Sequence, residues 1–325
     1  MKNSKVFFLA IAITLVPFPW LLPSIGEAQV VVDCDAGGRI QDAINFAFPS
    51  GALIFVTGTC FEQNINVGGH LANITLDGLA PGATARATIF SQTPSGAPLN
   101  GAVGVNGARN VRIRNFIITG NGTSDGVSIV DGAAVRLENN IIENQARDGV
   151  FLRFSFARII RNTIQNNGAD GINVTESSSA RIGHSSFDDL TPMPNTIQGN
   201  GGNGIRVSRS SNARIAGNKA ISPSIGGGIS GNGGHGVFVH QASHAQIATN
   251  DISSNGGDGI SVNENSGVNL SIGAIFNEPN STTGLNIGFG IQCSIGGYAS
   301  GPVGSLDGSG GERKFEGNCI NNLSR

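Results

Sequence analysis

Arginine is the residue type in this chain best placed to bind something, because it recurs at one spot in a repeat. Arg112, Arg136, Arg158, Arg181 and Arg214 each sit between a small or aliphatic residue and an aliphatic one, as in Val111-Arg112-Ile113 and Ala157-Arg158-Ile159. A planar guanidinium meets a carboxylate or sulfate through two parallel hydrogen bonds, so a row of them suits an extended polyanion. Beyond Lys2 and Lys5 the chain has only Lys219 and Lys314 to set beside its 16 arginines. Other reactive types are sparse. Asp188 and Asp189 are the only adjacent carboxylates, His184 stands four residues before them, and His235 lies between two glycines.

These residues are carried by a repeat. A tripeptide with central glycine recurs as Asp125-Gly126-Val127, Asp148-Gly149-Val150, Asp170-Gly171-Ile172, Asn203-Gly204-Ile205, His235-Gly236-Val237 and Asp258-Gly259-Ile260, spaced by 22 or 23 residues or by 32 or 33. Between anchors the residues alternate apolar and polar, as in Ile172-Asn173-Val174-Thr175, and Asn-Gly pairs separate the stretches. That is the period of β-strands joined by tight turns, with no sustained helical period. Three short strands and three turns per unit make one rung of a parallel β-solenoid. Ile129, Leu152, Val174, Val207, Val239 and Val262 form its inward column. Asn140, Asn162, Asn195, Asn218 and Asn250 fall at a bend, where stacked side chains can satisfy turn amides. The recurrent glycine is expected to take a left-handed or otherwise tight turn, with the Asp or Asn before it bonding the turn backbone. The longer units carry insertions within His184 to Pro194 and Gly217 to Gly227, which leave the same corner on adjacent rungs.

Composition limits the partners. A net charge of −2 with 13% charged residues gives no reason to expect nucleic acid, and no lysine tract addresses an anionic membrane. The start reads as a secretory signal peptide, residues 1–28: Lys2 and Lys5 precede an apolar run that Pro17, Pro19 and Pro23 break short of a membrane span. The expectation is a solenoid domain over 29–294, an irregular Gly-rich cap or tail over 295–325, and no membrane insertion. The protein is then secreted, extracellular or periplasmic. In such a compartment Cys34, Cys60, Cys293 and Cys319 are expected in two disulfides, for which three connectivities exist.

The repeat resembles the right-handed parallel β-helix proteins of the pectin-lyase-like superfamily. The N-terminal segment is similar too, with Ile40-Gln41-Asp42-Ala43-Ile44 followed by Ile54-Phe55-Val56-Thr57-Gly58-Thr59-Cys60. The resemblance implies an all-β, right-handed solenoid of three strands per rung. It also implies a capping helix on Ile40, Ala43, Ile44 and Ala47 over the first rung. Cysteines about one rung apart can meet, so the likeness favours Cys34 with Cys60 and Cys293 with Cys319, each 26 residues apart.

For activity the likeness is less specific. A lyase would need a carboxylate cluster for calcium and a base, for which Asp188, Asp189 and His184 are the candidates, so calcium is expected only in that case and otherwise no cofactor. Gly234-His235-Gly236 matches the Gly-His-Gly of polygalacturonases, yet their Asn-Thr-Asp and Arg-Ile-Lys are missing, as is the Asp-Pro-His-Glu of alginate epimerases. The leading expectation is a secreted monomer that binds acidic polysaccharide through the arginine column without a catalytic centre. The alternatives are a polysaccharide lyase or glycoside hydrolase acting on a polyuronate, and a structural adhesin or envelope protein.

Overall fold

The computed structural model describes residues 28–49, 51–62, 65–91, 101–120, 124–183, 193–222, 226–272 and 278–324. Each strand buries alternate residues, as Ala52–Thr57 and Ala134–Glu138 do, because a pleated strand turns successive side chains to opposite faces. One rung runs through Ala134–Glu138, Ile141–Glu143 and Val150–Arg153. Each strand then pairs in parallel with its counterpart one rung further on. Among the described residues this builds three parallel sheets of twelve, eight and ten strands around a single core. The inward column Ile129, Leu152, Val174, Val207, Val239 and Val262 is fully buried, as its alternation requires.

The first rung is closed by a helix, Ile40–Asn45, whose Ile40, Ala43 and Ile44 are buried against the coil. Arg39 at its N-cap offers no side-chain cap. The carboxylate of Glu62 does that work from the next turn, accepting from the backbone N–H of Ile40 and, at 3.1 Å, of Gln41.

The bend asparagines form a buried ladder, Asn140, Asn162, Asn195, Asn218, Asn250 and Asn280, in which each side-chain oxygen accepts the backbone N–H of the rung before at 2.9–3.1 Å. A second ladder, at the turn leading into the ten-stranded sheet, runs Gln145, Asn167, Asn200, Asn232, Asn255 and Asn286. A column of serines from Ser155 to Ser266 stacks at the third corner. All three corners therefore satisfy their buried amides with side chains from the neighbouring rung.

Two expectations change. The recurrent glycines do not supply left-handed turns: positive φ falls instead on residues such as Asn139 (57°), Arg161 (56°) and Phe154 (50°). Glycine is needed at the repeated position because the rungs approach too closely for a side chain. A Cβ on Gly171 would lie 2.7 Å from the carbonyl oxygen of Gly204, and one on Gly236 would lie 2.4 Å from Ile252. The segment from Ile295 is not an irregular tail either. Tyr298–Pro302, Arg313–Phe315 and Ile320–Ser324 continue two of the sheets in register. Gly301 and Gly304 turn its corner at φ 91° and 70°, so the glycines there make a rung rather than interrupt one.

The insertions flank the first asparagine ladder. One enters before Asn195 and the next leaves after Asn218. Gly227 packs so closely on Pro194 that a Cβ would come within 2.7 Å of it, so the described ends of these loops lie side by side. A third excursion, ending at Asn280, joins them through an ion pair between Lys219 and Glu278.

Cys34 bonds Cys60 and Cys293 bonds Cys319, with Cα separations of 5.0 and 5.9 Å. Each link staples one end of a stack whose rungs contact only their neighbours, so its effect is local. Reducing both is expected to speed hydrogen exchange in the terminal rungs and leave the amides around Asn167 and Asn200 as protected as before. Equal loss of protection along the whole coil would contradict this.

Candidate functional site

The five arginines stand on the outer face of the twelve-stranded sheet. Arg112, Arg136, Arg158, Arg181 and Arg214 are direct cross-strand partners on consecutive rungs, so their Cα atoms are spaced by about 4.8 Å. Thr75 precedes the column, and Gln246 and Asn269 continue it. Like charges stacked this way repel. Burial, then the charge of Arg136, lowers the pKa of Arg112. Glu138 offsets part of the strain, 3.0 Å from Arg136 and 4.0 Å from Arg112.

A groove of about 470 Å³ opens over this column. Arg112, Arg136 and Arg158 line it with Thr75, Asn110 and Phe156. Phe156 precedes Arg158 by two residues, which puts both on the outer face, and the residue is 39% exposed. Arg158 also reaches the Met193 sulfur at 4.0 Å, so the end of the first inserted loop borders the column.

His235 belongs to the turn that precedes the ten-stranded sheet. There Asp125, Asp148 and Asp258 each accept a backbone N–H from the next rung, and His235 does the same with Nδ1, 2.9 Å from the N–H of Asp258. That nitrogen holds a turn together and is not free to take a substrate proton. His184, Asp188 and Asp189 lie outside the described residues.

One cluster had no counterpart in the sequence analysis. On the ten-stranded sheet Arg206 donates through Nε to His240 Nε2 at 3.1 Å and lies 3.7 Å from Asp170. His240 Nδ1 faces Glu264 at 3.5 Å, and its ring stacks flat on Phe238 with centroids 4.2 Å apart. Burial and the nearby Arg206 lower the pKa of His240, so the ring is neutral near neutral pH. The available signal was Phe238 and His240 two residues apart on one strand face, one rung after an outward arginine.

The family model described as right handed beta helix region matches residues 95–192. Tailspike protein 2 from Escherichia coli O157:H7 bacteriophage CAB120 superposes with a TM-score of 0.58 at 12% identity, over 91% of this chain and 42% of its own. The chain is a right-handed parallel β-helix. This β-helix also superposes on alginate lyase from Paenibacillus sp. str. FPU-7, with a TM-score of 0.50 at 13% identity, over 90% of this chain and 99% of that one. It spans less than half of the tailspike's length. No curated protein matches it in sequence.

A second family model, described as periplasmic copper-binding protein (NosD), matches residues 189–284 of the β-helix. Among the described residues of that stretch no three His, Cys, Asp or Glu donors converge on one point. His235 Nδ1 and both nitrogens of His240 face protein partners. Among the described residues the one convergence of three His, Cys, Asp or Glu donors is Cys34, Cys60 and Glu62. Its sulfurs are bonded to each other and its carboxylate caps the helix.

Proposed function

We propose that this β-helix is a secreted glycan-binding protein, exported by the signal peptide of residues 1–28. It holds an acidic polysaccharide against the outer face of its twelve-stranded sheet. The observation that carries this reading is the register of Arg112, Arg136, Arg158, Arg181 and Arg214 over a groove floored by three of them. A linear polyanion laid along the solenoid axis meets one guanidinium per rung, a spacing close to that of successive charges on a polyuronate chain. Bound carboxylates or sulfates would offset the charge of Arg136, which adds to burial in lowering the pKa of Arg112. Phe156 adds an apolar surface beside the charges, and the two disulfides suit an oxidising compartment. The fold shared with an alginate lyase is compatible with this reading.

Arg136→Ala combined with Arg158→Ala is expected to weaken retention on polygalacturonate, alginate or sulfated-glycan gels at low salt by about tenfold or more, since each charge-assisted contact is worth about 1.5–3 kcal/mol. Added salt should weaken the wild type in the same way. Retention unchanged by the double substitution on all three gels, with circular dichroism unaltered, would sink the reading. An assay of the same glycans for unsaturated products and new reducing ends, with and without calcium, tests the enzymatic alternative.

A further inference from the structure

We propose that this β-helix forms a two-fold dimer in which the strand Ala28–Asp33 of one copy pairs antiparallel with the same strand of a second copy, joining the two twelve-stranded sheets. Ala28–Asp33 is the first strand of its sheet and pairs with Ala52–Thr57 on one side only. A bare edge offers its row of N–H and C=O groups to any strand that can match it. The other two sheets close their edges at this end. The Gln41 side chain accepts the N–H of Asn66 at 2.6 Å and donates to its carbonyl at 3.2 Å, which occupies the first strand of the ten-stranded sheet. Asp35 Oδ1 accepts the N–H of Thr59 at 3.0 Å on the first strand of the eight-stranded sheet. Among the described residues no side chain does the same for Ala28–Asp33.

The bare edge is complementary to itself. Cys34 donates its N–H to Thr57 O at 3.0 Å, so alternation along the strand turns the backbone groups of Val30 and Val32 toward Ala52–Thr57 and those of Gln29, Val31 and Asp33 away from it. These three residues are placed symmetrically about Val31. In an antiparallel pair centred there, Val31 exchanges both hydrogen bonds with the second copy's Val31, and Gln29 does so with the second copy's Asp33. Asp33 O already accepts from the N–H of Gly38 at 2.8 Å and keeps a second lone pair for this contact. The charges agree as well. With residues 1–28 removed, a premise taken from the proposed export, the α-ammonium of Gln29 stands beside the second copy's Asp33 carboxylate, and no like charges face each other. Apolar surface lies at the same end. Val31 is 60% exposed, and Phe46 and Phe48, which join the capping helix to Ala52–Thr57, are 70% and 64% exposed. An edge that matches its own copy is what an isologous two-fold contact requires, so the occupant is a second copy of this chain. The axis stands normal to the sheet and leaves both arginine columns on one continuous face.

The test is sedimentation equilibrium of the mature chain, residues 29–325, without added ligand. A dimer with a Kd of about 10 µM is expected, dissociating on dilution. Val31→Pro removes one outward N–H and no bond within the sheet, so it should weaken the dimer by about tenfold or more while circular dichroism stays unchanged. Val31→Cys reads the register: its thiols meet across the axis with Cα atoms about 5.5 Å apart, and oxidation should cross-link two copies. Gln29→Cys and Asp33→Cys should cross-link when the two variants are mixed and not when either is alone. Arg136→Ala with Arg158→Ala should leave the dimer intact, so failure of the polyanion reading and failure of the pairing are told apart. A monomer at every concentration up to about 100 µM, a dimer untouched by Val31→Pro, or a dimer in which Val31→Cys forms no cross-link overturns the inference.

Discussion

Asn162→Ala is expected to destabilise the protein by about 4 kcal/mol, the largest single-residue effect foreseen, because several buried groups lose partners together. Asn162 Oδ1 accepts from the backbone N–H and the side-chain amide of Asn140, each at 3.0 Å. Its own amide donates to Leu137 O at 3.0 Å, Ile160 O at 2.8 Å and Asn195 Oδ1 at 3.2 Å. Alanine leaves the Asn140 N–H buried without an acceptor and opens a small void at the corner. Water cannot easily enter, since Asn140 and Asn162 are at most 1% exposed. Asn162→Asp keeps the acceptor but places a carboxylate against two carbonyl oxygens, so it should be destabilising at neutral pH and partly rescued by acid. Ser179→Ala, on the exposed face of the twelve-stranded sheet, is the matched control. Chemical unfolding read by circular dichroism checks all three. Equal midpoints for Asn162→Ala and the control would show that the ladder contributes little.

The first asparagine ladder was visible in the sequence because its members recur once per rung beside aliphatic anchors, and even Asn195 fell into line once an insertion was set before it. The inward column was visible for the same reason: strand alternation and a fixed period leave one assignment of faces. The glycine role was not visible. A turn that needs positive φ and a rung contact that excludes Cβ both select glycine, and only coordinates separate them: Gly171 has ordinary φ and a carbonyl 2.7 Å from where its Cβ would be. The last rungs were hidden because Tyr298–Pro302 and Ile320–Ser324 pair through backbone, with too few aliphatic anchors to mark a period. The arginine column was legible as a register but not as a groove, which depends on Phe156 standing beside it. The Phe238, His240 and Arg206 cluster was missed because aligned rungs put Phe238 opposite Arg206 but do not show that the His240 ring lies flat on Phe238 and accepts from Arg206.

Asp148→Asn is expected to stabilise the protein by about 3 kcal/mol at pH 8 and by almost nothing at pH 4. Burial pushes the Asp148 carboxyl up to about 6; the neighbouring Asp170 and Asp125 add to the shift, while hydrogen bonds from Asn173 and the Asp170 backbone oppose it. The sign follows from proton counting. Between about pH 4 and pH 6 the folded chain keeps a proton that the unfolded chain has released, so stability falls as pH rises through that window and levels off above it. Asparagine removes the titration and keeps the geometry. Its Oδ1 can accept the Asp170 N–H as Asp148 does, and Asn203 already accepts from the N–H of His235 in this way, at 2.9 Å, two rungs further on. The new amide also finds an acceptor, because Asn173 can rotate to present its unpartnered Oδ1. Burial raises the pKa of Asp125 as well, so the variant should retain a weaker slope of the same sign. Unfolding midpoints of both proteins from pH 4 to pH 8 decide the matter. A difference that stays constant with pH would mean that asparagine changes packing rather than charge, and a difference that shrinks toward pH 8 would reverse the assignment of Asp148 as a carboxylate the fold holds against its preference for water.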